Sequence, residues 1–486
     1  MIYMEKFLVC TAIDYPSGPP HLGHLYEKVA ADVIARWKRL EGKEVHFSTG
    51  LDCHGQKIER AAKNANKTPQ EFVEHMGSLF LELCRKYSIS YDDFIRTTED
   101  RHKKVVSLIF KRIQKNEDIY KGEYQGLYCV DCETFYTEKD LDNGNCVVHK
   151  KKAEWLKEDS YFFRLGKYRE KMIEYIKNNP NFIKPESRRN EILNRLKEPV
   201  KDLSITRKTV RWGIPFPLDK SFVTFVWVEA LLNYLSTVGY PDKKFDQFWP
   251  SFNLIGKDIL WHHSVIFGAQ LMSLGVKLPK LFVHGFITIG GEKMSKSRGV
   301  VMDPLELVKK YPADAIRYFL LREIPFGEDG DFSEQALKER INGELVSDLG
   351  NLVSRVLTLC ERNKSVKIKG KPELEEKLNF KKFSEHMEKL ELHHALDEIF
   401  NFVRACNPYI NETEPWKKSG EELGNILYNL LESLRIIAIL IHPFMPETSE
   451  KICKQLSIRL GTLKDIKFGA FFGKPKKGEH LFEKVT

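Results

Sequence analysis

Several features that mark other protein classes are missing from this 486-residue chain. No long apolar run stands near its start, because "MIYMEKFLVCTAI" passes directly into Asp14 and a group of prolines. A secretory leader is therefore not expected. The most apolar stretch, "IIAILI" (Ile436 to Ile441), falls far short of the ~20 residues that cross a bilayer. There is no internal repeat and no low-complexity tract, which argues against a solenoid or a disordered tail. The nine cysteines are odd in number, and six of them (Cys10, Cys53, Cys84, Cys360, Cys406, Cys453) stand alone. That pattern excludes a disulfide framework and points to a reducing, cytoplasmic compartment. Neither sign of charge dominates: 77 Lys+Arg against 68 Asp+Glu leaves +9. Such a balance permits a polyanionic partner without requiring one.

What remains is a globular composition, 42% hydrophobic and 12% aromatic, in a chain long enough for three or four domains. "EKFLVCTAI" and "EVHFSTGLD" read as short buried strands. Between them, Tyr26, Val29, Ala30, Val33, Ile34, Trp37 and Leu40 recur at helical spacing, with Pro19 and Pro20 before the helix and Gly42 at its expected end. Strand, helix, strand opens a parallel α/β sheet. After residue 217, "SFVTFVWVEALLNYL", "FNLIGKDILWHHSVIFGAQLMSLG" and "KLFVHGFITIGG" resume that rhythm. The stretch between differs in texture and reads as an insertion. The tail of the chain is helical, with Leu423, Ile426, Leu427, Leu430, Leu431 and Leu434 on one face, which predicts a helix bundle. "GKPKKGEH" reads as an exposed tail ahead of a short apolar anchor, "LFEKV". The expected divisions are 1–117 and 216–285 for the two halves of a nucleotide-binding, Rossmann-like α/β domain, with 118–215 inserted between them. A loop and stem-contact region follows at 286–345, then the bundle at 346–486.

Three patterns carry chemistry. In "HLGH", His21 and His24 flank Gly23 where a loop becomes a helix. Free N–H groups and the helix dipole attract anions there, and glycine lets a nucleoside approach the backbone. In "GGEKMSKSRG", Lys293 and Lys296 lie on a glycine-flanked loop, where two ammonium groups can meet charge building on a leaving phosphate. Cys129, Cys132, Cys146 and His149 follow C-x2-C-x13-C-x2-H, a spacing that closes a tetrahedron on Zn²⁺. Four protein ligands leave no open position, so one structural zinc is expected.

HLGH followed by KMSKS, on an interrupted α/β sheet, resembles the class I aminoacyl-tRNA synthetases over nearly the whole chain. Within that class the likeness is to the methionyl-tRNA synthetases. The resemblance implies a ligase that activates L-methionine with Mg²⁺-bound ATP and transfers it to the 3′ end of tRNA(Met), with its CAU anticodon. It implies that His21, Gly23, His24, Glu27, Gly256, Asp258, Lys293 and Lys296 bind ATP, the histidines and lysines being catalytic. Ala12, Ile13, Tyr15, Asp52, Trp227, Ala230, Leu231, Tyr234 and His263 would surround methionine, with Asp52 on its ammonium and Arg207 bracing Asp52. An aromatic-lined apolar pocket suits a polarisable thioether. Asn351, Arg355 and Trp416 match anticodon contacts, while Ser347 stands where relatives often carry Asn. Glu229 stands where many relatives carry Asp, and is read as structural drift of little consequence for the pocket. The zinc knuckle would sit in the insertion that covers the active site. A monomer is expected, since a C-terminal dimerising domain found in some relatives has no counterpart. The valine, isoleucine and leucine enzymes carry a large editing insertion for which there is no room here.

Overall fold

A computed structural model describes residues 4–129, 134–136, 141–147, 150–290, 292–293 and 302–486. Six parallel strands form its central sheet: β1 (Lys6–Thr11), β2 (Glu44–Leu51), β3 (Asp93–Arg96), β4 (Ile183–Lys184), β5 (Phe252–Gly256) and β6 (Lys280–His284). Their order is β3-β2-β1-β5-β6-β4. The order reverses between β1 and β5, and ligands of open α/β sheets settle outside the carboxyl ends of the strands at such a switch point. Helix α1 (Leu22–Leu40) joins β1 to β2, as the spacing of its apolar residues predicts. It is buried on more than the expected face: Glu27, Lys28 and Asp32 are buried as well.

Two expectations need correction. Of the three segments after residue 217, only the second and third supply central strands. Val223–Thr224 pairs instead with Thr206–Arg207, and two short helices follow, Val226–Ala230 and Asn233–Ser236. β4 also comes from inside the stretch expected to be wholly insertion, where Ile183 and Lys184 pair with Leu281 and Phe282. A two-residue strand carries too little periodic signal to be read from sequence. The rest of that stretch includes an antiparallel sheet in which Ile119–Cys129 runs beside Glu154–Phe163.

The C-terminal part is helical: Asn351–Arg362, Phe380–Lys389, Leu392–Thr413, Gly420–Ile441 and Pro446–Leu456. Gly420–Ile441 is long and apolar enough to cross a membrane, but 89% of its most apolar window is buried inside the fold, as befits the central helix of a bundle. Leu481 and Phe482 are buried as the anchor reading requires. One continuous hydrophobic core contains residues of α1, of α2 (Ala313–Glu323) and of the bundle, so the α/β part and the helices are packed as one body. Polar ties cross the same boundary. Arg317 of α2 is wholly buried and donates to the Asp32 carboxylate of α1 and to the Pro443 and Phe444 carbonyls of the bundle. Near the far end of α1, the Trp37 ring meets Phe383 edge-on, and Lys38 pairs with Glu388.

Candidate active site

A cavity of about 290 Å³ opens at the carboxyl ends of β1, β2, β5 and β6. The chain leaves each strand into a lining residue: Ala12 after β1, Asp52 after β2, Asp258 after β5 and Gly285 after β6. The mouth of α1 forms one wall. His21 is its N-cap, and its Nδ1 accepts the Gly23 N–H at 3.1 Å. His24 Nδ1 accepts the His21 N–H at 3.0 Å, so two imidazoles make a reciprocal capping box. Because each Nδ1 is an acceptor, the proton of each neutral ring sits on Nε2, the nitrogen remote from the helix backbone. The rings stack with centroids 3.7 Å apart. Gly23 has a second purpose here: a Cβ would lie 3.0 Å from the His21 ring, which is folded back over that turn.

Glu27, one helical turn further on, accepts the Ala12 N–H at 2.6 Å and faces His284 Nε2 at 3.3 Å. Burial alone would lower the His284 pKa, but its bond to Glu27 and that charge more than offset this and hold it above the ordinary value. Behind His24, the buried Lys28 ammonium pairs with Asp14, whose other oxygen lies 4.0 Å from His24 Nε2. At Gly256 a Cβ would meet the Asp258 carboxylate at 2.9 Å, so glycine lets that carboxylate fold back toward the strand end.

Much of the remaining lining is apolar. Ala12, Ile13, Tyr15, Trp227, Ala230, Leu231, Tyr234 and His263 belong to it, with Asp52. His263 Nδ1 donates to the Ile259 carbonyl at 2.9 Å, so its Nε2 accepts from the Tyr234 hydroxyl at 2.8 Å. Burial pushes the His263 pKa down to about 4, which keeps the ring neutral. Trp227 stacks on His262, which burial pushes down to about 3. The Arg207 guanidinium donates to the Ser204 hydroxyl and to the Thr206 carbonyl, and lies 4.0 Å from the Phe225 ring centroid.

Every expected ATP and methionine residue except the lysines thus borders one cavity. Lys296 lies outside the described residues, and only the backbone of Lys293 is described. That backbone pairs with Thr288, next to Ile287 of the lining. Sequence reading missed His284, Asp14 and Lys28. The first could have been found from its place at the end of a parallel strand beside a glycine, and Lys28 from its position four residues after His24. Glu229 also departs from its reading as drift. It is wholly buried, with His54 Nδ1 at 2.7 Å from one oxygen and His102 Nε2 at 2.8 Å from the other. Burial alone would raise its pKa, but the two imidazoles more than offset this and hold it below the usual range.

Of the four expected zinc ligands, Cys129 and Cys146 are described, and both are buried. Cys132 and His149 lie outside the described residues. Among the described residues, no group of three or more His, Cys, Asp or Glu is placed to hold a metal ion. In the bundle, Asn351 opens its helix, and Arg355, one turn on, donates to Asn411 Oδ1 at 2.6 Å. Trp416 follows on the turn Pro415–Lys417 and is 57% exposed.

Nucleotide-type sheet, histidine-capped helix and helical bundle together define a class of protein. The family model for tRNA synthetases class I (M) matches residues 7–141 and 137–357, and that for the anticodon-binding domain of tRNA ligase matches residues 378–477. The fold and site are those of a class I tRNA synthetase. The methionine–tRNA ligase of Caldanaerobacter subterraneus subsp. tengcongensis is 46% identical over 99% of this chain and 79% of its own length. That of Thermotoga maritima is 41% identical over 99% of this chain and 80% of its own. The solved structure of Mycobacterium tuberculosis methionyl-tRNA synthetase in complex with methionyl-adenylate superposes with a TM-score of 0.93 at 36% identity, covering 99% of this chain and 100% of that one. Within the class, the chain belongs to the methionine–tRNA ligase family.

Proposed function

We infer that the chain activates L-methionine with ATP and transfers it to tRNA(Met), with the cavity as the site of both steps. The observation that carries this reading is the joint lining: one cavity is bordered by the Asp52 carboxylate, by aromatic and apolar side chains, and by a stacked histidine pair on a helix mouth. Asp52 takes the methionine ammonium, and Trp227, Ala230, Leu231 and Tyr234 enclose the thioether chain. Tyr234 spends its hydroxyl proton on His263, so the side-chain wall meets sulfur with rings rather than with a competing donor. The methionine carboxylate then attacks the α-phosphorus of Mg²⁺-bound ATP, and pyrophosphate leaves. His21 and His24 donate to phosphate oxygens from Nε2, and Lys293 and Lys296 take up charge on the departing group. Catalysis of this kind is positioning and electrostatic stabilisation, with no covalent nucleophile on the protein. Gly23, Glu27, Gly256 and Asp258 border the adenosine. Class I membership implies that the 2′-OH of the terminal adenosine attacks the adenylate in the second step.

The bundle reads the CAU anticodon through Asn351, Arg355 and Trp416. The 57% exposure of Trp416, which leaves an indole face for a base to stack on, supports the assignment. Zn²⁺ is held by Cys129, Cys132, Cys146 and His149 in a structural knuckle. The chemistry of the donor set fits: buried Cys129 ends a strand, and at buried Cys146 the chain turns back, with Lys150 N–H donating to the Cys146 carbonyl at 2.8 Å. The same reading has the enzyme working as a monomer in the cytoplasm.

The test is ATP–pyrophosphate exchange across the twenty amino acids, which is expected to respond to methionine alone. Lys296→Ala is expected to slow exchange at least a hundredfold with little change in the methionine dissociation constant, the magnitude typical of losing one donor to developing charge. Normal exchange in that variant, or exchange driven by another amino acid, contradicts the reading.

A further inference from the structure

Glu229 lies in the chain between Trp227 and the Ala230–Leu231 pair, yet it is absent from the cavity lining, and its carboxylate is taken up by two imidazoles. One is His54, two residues beyond Asp52 on the same loop. The other is His102, on the helix Asp100–Lys115, whose remaining nitrogen lies 3.0 Å from the Ser236 hydroxyl. Ser236 follows Tyr234, so the chain returns to the segment that forms the apolar wall. A single carboxylate therefore joins the loop that carries Asp52, a packed helix, and the segment that carries Trp227, Ala230, Leu231 and Tyr234.

Burying such a charge is costly compared with apolar packing, so a buried carboxylate with both oxygens bonded fixes one geometry among several that packing alone would allow. The loop is pinned elsewhere too: Cys53 N–H donates to the Thr97 hydroxyl, Trp212 Nε1 donates to the Cys53 carbonyl, and Asp52 N–H donates to the Asp14 carbonyl. The wall segment meets this loop through Glu229.

We propose that Glu229 is a positioning residue that sets the spacing between the Asp52 carboxylate and the apolar wall of the methionine pocket. The proposal rests on the reading of those residues as the methionine site. With a proton on each facing nitrogen, the two imidazoles need two acceptor oxygens, and an amide supplies only one.

The test compares Glu229→Gln, Glu229→Asp and Asp52→Asn in ATP–pyrophosphate exchange, with active-site titration to count competent molecules. Glu229→Gln is expected to raise KM for methionine about tenfold and leave KM for ATP within about twofold, as loss of uniform binding requires. Inhibition by L-methioninol, which keeps the ammonium and the thioether chain, weakens in parallel. Glu229→Asp, which retains both oxygens, recovers most of the affinity. A lower titre of competent enzyme with both KM values unchanged assigns Glu229 to folding alone and overturns the proposal. If Asp52→Asn also leaves methionine KM unchanged, the pocket reading itself has failed; if Asp52→Asn raises it and Glu229→Gln does not, only the positioning proposal falls. Should the glutamine variant not fold, Ser236→Ala decides: methionine KM rises about threefold with ATP unaffected, by loss of one hydrogen bond, and an unchanged value overturns the proposal.

Discussion

Arg317→Met tests how the α/β part and the bundle are joined. The guanidinium is wholly buried and makes four bonds: to Asp32 Oδ2 at 2.7 Å, to the Phe444 carbonyl at 2.8 Å, and to the Tyr87 and Pro443 carbonyls at 2.9 Å. Methionine fills much of the same volume but donates to none of these acceptors. Asp32 keeps Arg36 and two bonds from Ser90, so its carboxylate is not left bare. The three carbonyls lose the guanidinium donor that reaches each of them. Breaking a buried pair costs about 3–5 kcal/mol, and the surviving partners of Asp32 against three carbonyls that each lose a charged donor put the expected loss at about 4 kcal/mol. Urea unfolding followed by circular dichroism measures it as a lower midpoint at unchanged slope. In a double-mutant cycle with Asp32→Asn the coupling is expected to be about 2 kcal/mol. A single-mutant loss below ~1 kcal/mol, or a coupling energy of zero, would mean that the boundary is held by apolar packing alone.

Three further outcomes are expected. Trp416→Ala impairs aminoacylation of tRNA(Met) while sparing pyrophosphate exchange; equal loss of both assays refutes an anticodon role. Purified protein carries about one Zn²⁺ per chain, and Cys132→Ser lowers that content and loosens the insertion in limited proteolysis; a metal-free preparation with unchanged proteolysis removes the site. His262, His263 and His442 have folded pKa values pushed down to about 3, 4 and 4, chiefly by burial. The stability they contribute is present above the ordinary value of ~6.5 and is lost as pH falls from there toward 4, because the unfolded chain binds the protons. His284 is shifted the other way, and its contribution is lost as pH rises through its folded value. His46 and His393 are also pushed down by burial, while Asp314, pushed up by burial to about 6, acts in the same direction as His284. With five lowered imidazoles against those two groups, the melting temperature drops between pH 7 and pH 5, and a flat calorimetric profile over that range contradicts the burial of these rings.

The parts that sequence revealed were those with a repeating physical cause. Apolar spacing gave α1 and the long bundle helices, because burying one face needs a helical period. Asp52 and Asp258 stood just past strand ends, and His21 and His24 at the mouth of α1, where motif and topology agree. β4 and the place of Glu229 had no local signature. β4 is two residues long, and its pairing with Leu281 and Phe282 depends on contacts a hundred residues away. Glu229 looked interchangeable because its partners, His54 and His102, are far off in the chain, and burial of a carboxylate is invisible in one sequence. Lys28 sat on a face that reads as polar, and its pairing with Asp14 makes its interior position tolerable.

α1 carries His21 and His24 at one tip and rests on Phe383 and Glu388 near the other, as a single unbroken lever. From Trp37 back to His21 is about 24 Å, so each degree of tilt about the far end swings the two imidazole rings by about 0.4 Å. Two or three degrees amount to the misplacement that degrades a reaction dependent on alignment. On the proposed role of His21 and His24 toward phosphate, the seating of the helical bundle against α1 bears on the aim of those rings.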